Sequence, residues 1–235
     1  MRILQIFITT GFLLLMLSGC AKLSDQLTPF EKNLFHSAYE QWDNLPIIES
    51  SPVLPGVHRR LKFASVDSES FQGFKFRTLK NGYLGTKSHH MDLSAEAFLF
   101  DTGKSYYVAF KLPELQQPYR VRVQSFVLLH GTMALSPIFY PVALFLDESF
   151  NPVRLAVPEM KQEQPYDALE LNGFIEIESD IEKYMIIMTT DEVQKHKTEM
   201  LLPIGRGDYG VDFYRIKRGH SPEGVFRAFV EEEQD

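Results

Sequence analysis

The sequence predicts a mainly β protein: an antiparallel β-sandwich with an N-terminal helix and one short helix after a late strand. Three observations predict it. Residues Tyr119, Val121, Val123 and Ser125 alternate with Arg120, Arg122 and Gln124, the period of two that a half-buried strand requires. The run Ile138–Leu146 is almost continuously apolar, the mark of a strand covered on both faces. Turn residues recur between short apolar runs without long helical patterns between them, which suits hairpins better than βαβ units.

The elements follow in chain order. Met1–Arg2 and the apolar stretch Ile3–Met16 have the layout of a secretory signal, too short to span a bilayer comfortably. Leu17-Ser18-Gly19-Cys20 follows and looks like a bacterial lipobox, with the only cysteine of the chain at its end. The chemistry needs a thiol to carry lipid and small residues before it for the peptidase. Cys20 is therefore the expected lipidation site and the new N-terminus, and its acyl chains are expected to hold the protein in the membrane. Ala21 follows Cys20 where inner-membrane retention usually has Asp, so the expected destination is the periplasmic face of the outer membrane. The domain reading is residues 1–19 as signal peptide, 20–55 as lipid-anchored tether, helix and Pro-containing linker, and 56–235 as the sandwich.

Thr28-Pro29-Phe30-Glu31 reads as a helix start, with Thr28 as cap, Pro29 in the first helical position and Glu31 closing a capping box. Phe30, Leu34, Ala38 and Trp42 form the apolar stripe, and the helix is expected to end near Trp42–Asp43. Asn44–Pro55, with Pro46, Pro52 and Pro55, reads as an extended linker. Strands are then expected around Phe74–Thr78, Ala97–Phe100, Tyr106–Leu112, Tyr119–Ser125, Ile138–Leu146, Val153–Val157, Gly173–Glu178 and Tyr184–Thr189. Asp147–Pro152 is expected to turn. Thr189 and Glu192 have capping-box spacing, which predicts a helix running to about Leu202 and stopped by Pro203. Val211–Ile216 and Val225–Val230 close the chain as strands before an acidic tail.

Composition narrows the function. The net charge is −7, from 24 Lys+Arg against 31 Asp+Glu, which argues against nucleic acid as a partner. A single cysteine excludes an internal disulfide and any multi-cysteine metal site. Gly205–Gly210 fits G-x-G-x-x-G, but Pro203 precedes it and a strand-like stretch follows, so a glycine-rich turn is the expected structure rather than a dinucleotide loop. His89-His90 near Asp92 cannot converge on one ion as neighbours in a strand, and a polar loop is expected there. His36, His58, His130, His196 and His220 stand alone in sequence.

No nucleophile elbow is present, so catalytic residues, metal ligands and cofactors are all read as none. A glycosidase pair among Asp147, Glu148, Asp167, Glu170, Glu176 and Glu178 would form only across the fold; Glu176 and Glu178 share a strand face and are expected to be solvated. Nineteen of the aromatics are Phe, which points to core before sugar platform, and Tyr106, Tyr107, Tyr119 and Tyr140 are the candidates for exposed stacking. Ligand-binding residues are otherwise not assigned by the sequence.

Ser105–Pro113, the strand Arg120–Phe126, the run Tyr140–Asp147 ending in Leu-Asp, and Met188-Thr189-Thr190-Asp191 occur in an order that resembles the maltose operon periplasmic protein (MalM-like) family. Phe63–Asp67 matches an early segment of that pattern, and the similarity covers about Leu61 to Leu202. Family members carry an ordinary signal peptide, whereas this chain has a lipobox. The resemblance implies a periplasmic protein linked to maltose and maltodextrin uptake, with no established enzymatic activity. The expected function is thus a non-catalytic envelope lipoprotein that binds maltodextrin or an outer-membrane porin. The alternatives are an assembly lipoprotein with protein partners only, and a glycan hydrolase.

Overall fold

The computed structural model describes residues 42–49, 53, 55–66, 68–127, 136–163, 169–206 and 210–231. The lipobox with Cys20, the helix start at Thr28–Glu31, His36, His130 and Asp167 lie outside the described residues. The chain divides into two units, Met1–Leu45 and Pro46–Asp235. In the first, Trp42–Asn44 form a single 3-10 turn closed by the Leu45 amide on the Trp42 carbonyl. The second is the β body. None of the described helices is long and apolar enough to cross a membrane.

Among the described residues, fourteen strands build the body in three sheets. In chain order these are β1 (Ile47–Glu49), β2 (Arg77–Thr78), β3 (His89–Met91), β4 (Glu96–Phe100), β5 (Gly103–Lys111), β6 (Tyr119–Phe126) and β7 (Ile138–Phe139). They continue with β8 (Val142–Leu146), β9 (Pro152–Ala156), β10 (Glu170–Ile177), β11 (Tyr184–Met188), β12 (Lys197–Arg206), β13 (Gly210–Ser221) and β14 (Gly224–Val230). One helix, α1 (Pro55–Phe63), precedes β2.

A four-stranded sheet in the order β10-β6-β14-β3 faces a six-stranded sheet in the order β2-β5-β11-β8-β9, with β4 added on β5. The shared core takes alternate residues from each strand: Val121 and Val123 from β6, Ile175 and Ile177 from β10, and Phe226, Ala228 and Val230 from β14. Against them lie Tyr106, Val108 and Phe110 of β5, Met185 and Ile187 of β11, and Ala143 and Phe145 of β8. This is sandwich packing, in which period-two side chains from two inner faces fill one layer.

The six-stranded sheet is apolar on its outer face too. Tyr107, Ala109, Leu146, Ile186 and Met188 point away from the sandwich core into a second cluster with Phe74 and Phe100. Phe71, Phe76, Phe98, Phe150 and Tyr184 pack against that cluster. Covered on both sides, these strands read as unbroken apolar runs. The third sheet, β1-β13-β12 with β7 on β13, carries its own cluster around Met200, Leu202 and Ile216.

The structure corrects five expectations. The helix expected from Thr189 to Leu202 is a 3-10 turn, Val193–Lys195, followed at once by β12. The Thr190 hydroxyl accepts the Val193 amide at 3.2 Å, while the Thr189 amide donates to Ser105 Oγ and stays with the sheet. Pro203 sits inside β12 opposite Phe213, because ten residues of antiparallel pairing with β13 outweigh a local capping signal. The Ile138–Leu146 run splits at Tyr140–Pro141 into β7 and β8, which belong to different sheets. The stretch Phe74–Thr78 yields only Arg77–Thr78 as strand, since Phe74 and Phe76 are drawn into the aromatic cluster. Within the expected linker, Ile47–Glu49 pair in parallel with Arg215–Lys217. The His89-His90 loop is an edge strand paired with β14.

Candidate functional site

On the outer face of the six-stranded sheet, the aromatic layer leaves a hollow of about 540 Å³. Three short segments build it. The 3-10 turn Phe71–Gly73 lays Phe71 against Phe98 at 5.4 Å between ring centroids, and against Phe74 edge-on at 5.5 Å. Phe74 is stacked on Tyr107 at 4.0 Å, which anchors this turn to β5. The β4–β5 hairpin supplies Phe98 and Phe100, whose rings meet edge-on at 4.9 Å. The β8–β9 turn supplies Phe150, stacked on Tyr184 at 4.7 Å and 18°. Leu144, Leu155 and Met188 complete the apolar lining.

Asp147 builds the third segment. Its Oδ1 accepts the amides of Ser149 and Asn151, each at 2.8 Å, and its Oδ2 accepts Asn151 Nδ2 at 3.0 Å. These bonds, led by the Asn151 side chain, hold its carboxyl below the ordinary aspartate range. The turn places Phe150 at φ 65°, a left-handed conformation that a bulky residue adopts only when its surroundings impose it. That strain fixes an aromatic ring at the mouth of the hollow.

The second segment is fixed by Gly103, at φ 113°. The Asp191 amide donates to the Thr102 carbonyl at 3.1 Å, and a Cβ on Gly103 would lie 2.5 Å from the Asp191 carboxyl carbon. The hairpin tip and the Thr190–Asp191 corner therefore lie against each other. Polar groups ring the hollow: Glu69, Ser70, Gln72, Asp101, Ser149 and Asn151. Glu69 and Asp101 are exposed. Phenyl faces below and carbonyl, amide and carboxylate groups around the edge suit a ligand with one apolar face and a periphery of hydroxyls.

A family model described as maltose operon periplasmic protein precursor (MalM) matches residues 102–214. That segment of the chain is similar to the MalM family. The family name denotes a periplasmic protein of the maltose operon, and the family is not a known enzyme family. No curated protein and no solved structure matches the chain. The matched segment begins in the β4–β5 turn and ends in β13, so it contains Phe150, Leu144, Met188 and Asp191. The opposite wall, Phe71, Phe98 and Phe100, is built by residues before it.

Sequence reasoning sought exposed stacking at tyrosines. Tyr106 and Tyr107 are buried, at 0% and 4% exposure, and belong to the two apolar clusters. Tyr119 and Tyr140 are half-buried and donate their hydroxyls to the carbonyls of Pro113 and Pro158. The hollow uses phenylalanines instead; the local signal is the spacing Phe71, Phe74, Phe76 followed by Phe98 and Phe100. Glu176 and Glu178 face solvent, as expected of a strand face. Glu170 does not: it accepts from Gln124 and Asn172 at 2.8 Å each. Glu148 is exposed on the Asp147 turn. Gly205 and Arg206 end β12 and Gly210 opens β13, with Arg206 paired to Gly210, so both ends of the G-x-G-x-x-G segment lie in strands, and residues 207–209 lie outside the described residues. Among the described residues no cluster of three metal-capable side chains occurs.

His220 is a structural pin. His220 Nδ1 donates to the Val193 carbonyl at 2.7 Å, which leaves Nε2 to accept the Thr198 hydroxyl at 2.8 Å. Burial holds its pKa below the ordinary histidine value. His58 and His196 are exposed.

Proposed function

We propose that this protein is a non-catalytic envelope lipoprotein of maltodextrin uptake, and that the aromatic hollow on its outer sheet receives a glucan segment. The carrying observation is the hollow itself: phenyl rings from three separate segments converge on about 540 Å³ beneath a polar rim. A pyranose presents C–H groups on one face and hydroxyls at its edge, which matches Phe71, Phe98 and Phe150 below and Gln72, Asp101 and Asn151 around. The MalM-like assignment supports a periplasmic location and a maltose-operon context.

A non-catalytic role fits the rim. A glycosidase acid is kept protonated by an apolar pocket, and Glu69 and Asp101 are both open to solvent. These carboxylates act as hydrogen-bond acceptors for sugar hydroxyls. Cys20 is acylated and carries the body on the periplasmic face of the outer membrane.

Calorimetric titration of the full chain in mild detergent with maltoheptaose, against cellohexaose, tests the binding reading. Maltoheptaose is expected to bind, and Phe71→Ala with Phe150→Ala to weaken it at least tenfold. Absence of heat, or heat untouched by both substitutions, overturns it. Labelled palmitate tests the anchor: the parent chain is expected to take up label and Cys20→Ser to take up none.

A further inference from the structure

A second concave region lies at the open edge of the sandwich, where β2 of one sheet and β3 of the other face each other. Two adjoining hollows of about 430 and 370 Å³ share Arg77, Ser88 and His89 in their walls. Lys75 and His90 line the first, and Lys80 and Lys87 the second. From residue 70 to residue 91 the chain contains no Asp or Glu, yet it holds Lys75, Arg77, Lys80 and Lys87. The one carboxylate in the walls, Glu96, is bound by Lys75 Nζ at 2.5 Å and by the Tyr107 hydroxyl at 2.8 Å. A chain of net charge −7 therefore places four cations, Lys75, Arg77, Lys80 and Lys87, against one carboxylate in one trough.

The centre of the trough is built, not merely basic. His89 bridges the two sheets, its ring 5.2 Å from both Phe110 and Phe226. Arg77 Nη1 lies 3.0 Å from His89 Nδ1; a guanidinium only donates, so Nδ1 is the acceptor and the imidazole is neutral. Burial, with the neighbouring Arg77 and His90 charges, pushes the His89 pKa down to about 4. Arg77 is thereby held in place by one N–H while its other donors remain for a ligand. Arg227 Nε donates to Ser88 Oγ at 3.0 Å, so the Ser88 proton is free to donate outward. Lys80 and Lys87 are exposed, and neither forms an ion pair among the described residues.

We propose that this trough is a second binding site, for a phosphate monoester carried on a small polar molecule, a soluble sugar phosphate. Arg77 supplies a planar fork, Lys80 and Lys87 supply point charges, and the Ser88 and Thr78 hydroxyls supply neutral donors, the combination that a dianionic phosphoryl group requires. Each hollow is wide enough for one sugar ring and too small for an extended chain.

The test is calorimetric titration of the full chain with glucose 6-phosphate, glucose, inorganic phosphate, and phosphatidylglycerol vesicles. Glucose 6-phosphate is expected to bind, to weaken several-fold between 50 and 300 mM salt, and to lose at least tenfold in Arg77→Gln. The double variant Lys80→Gln/Lys87→Gln alters two exposed side chains, is expected to keep the fold, and is expected to lose a similar factor. Phe71→Ala is expected to leave this binding intact, which separates it from the glucan hollow. No binding, equal binding of glucose, or binding unchanged in the lysine double variant overturns the site. Inorganic phosphate binding as tightly, or vesicles binding more tightly through the same residues, overturns the sugar phosphate as its ligand.

Discussion

Arg60 on α1 and Glu223 in the β13–β14 turn meet as a two-pronged pair across 163 residues of sequence, Nε to Oε1 at 2.9 Å and Nη2 to Oε2 at 2.6 Å. The Glu223 side chain is 8% exposed and that of Arg60 43%. The pair joins the only α-helix of the described residues to the strand that ends the sandwich.

Removing one member leaves a buried carboxylate without its cation. Arg60→Met is expected to cost about 2 kcal/mol, below the range for fully buried pairs because half of the guanidinium stays in water. Glu223→Gln, which removes the charge that needed compensation, is expected to cost about half as much. Urea unfolding measures both, and equal losses would show that the charge is not the source.

Acid sensitivity follows from two neutral histidines, His220 buried and His89 half-buried. His89 and His220 both have pKa values below the ordinary 6.5, that of His89 about 4. Between these limits the unfolded chain binds more protons than the native one, so stability falls as pH is lowered from 6.5 towards 4. Above 6.5 these groups add no slope. His89 alone accounts for about 2 kcal/mol of this loss, discounted for its partial contact with solvent. Unfolding curves taken across that window should show the decline, and His89→Phe should flatten it.

Gly103 is held at a φ of 113° and close to the Asp191 carboxylate. Gly103→Ala is expected to cost about 2 kcal/mol. Adding Asp191→Gly should recover only the part due to the close approach, since the backbone strain persists. Thermal unfolding of the single and double variants separates the two contributions; full recovery would show that the φ angle is not strained.

The two kinds of phenylalanine should separate cleanly. Phe226 is fully buried and packs against Phe110, Phe139 and His89 in the middle of the sandwich. Phe226→Ala is expected to cost about 4 kcal/mol. Phe71 is half-buried at the hollow, and Phe71→Ala is expected to cost about 1 kcal/mol while removing most glucan affinity. Stability and titration measured on the same preparations would expose a reversal of these roles.

The fold was legible where side-chain period carries it. Alternation at Tyr119–Ser125 gave a strand whose register with β10 and β14 places Val121 and Val123 inward. The turn at Asp147–Asn151 was legible because an aspartate two and four residues ahead of amides makes the same bonds wherever it occurs. Local signals failed where distant pairing was stronger. The Thr189–Glu192 spacing promised a helix, yet β13 supplied a partner for every residue from Lys197 to Arg206. The helix α1 opens at Pro55, where the expected linker ends, and runs to Phe63 in a stretch that was expected to belong to the sandwich.

The candidate sites were barely legible. Phe71, Phe98 and Phe150 lie in three segments with no spacing rule among them, and Arg77 and His89 belong to different sheets. Nothing in a strand's own sequence says which of its apolar faces is roofed and which is left open.

By itself the sequence determined the β class and the family resemblance, because each is written in residues close together along the chain. Tertiary structure alone decided which aromatic rings gather around a hollow and which cations crowd one edge. Such groupings depend on strand order and register, and these are set by long-range hydrogen bonding and shared burial that no local window contains.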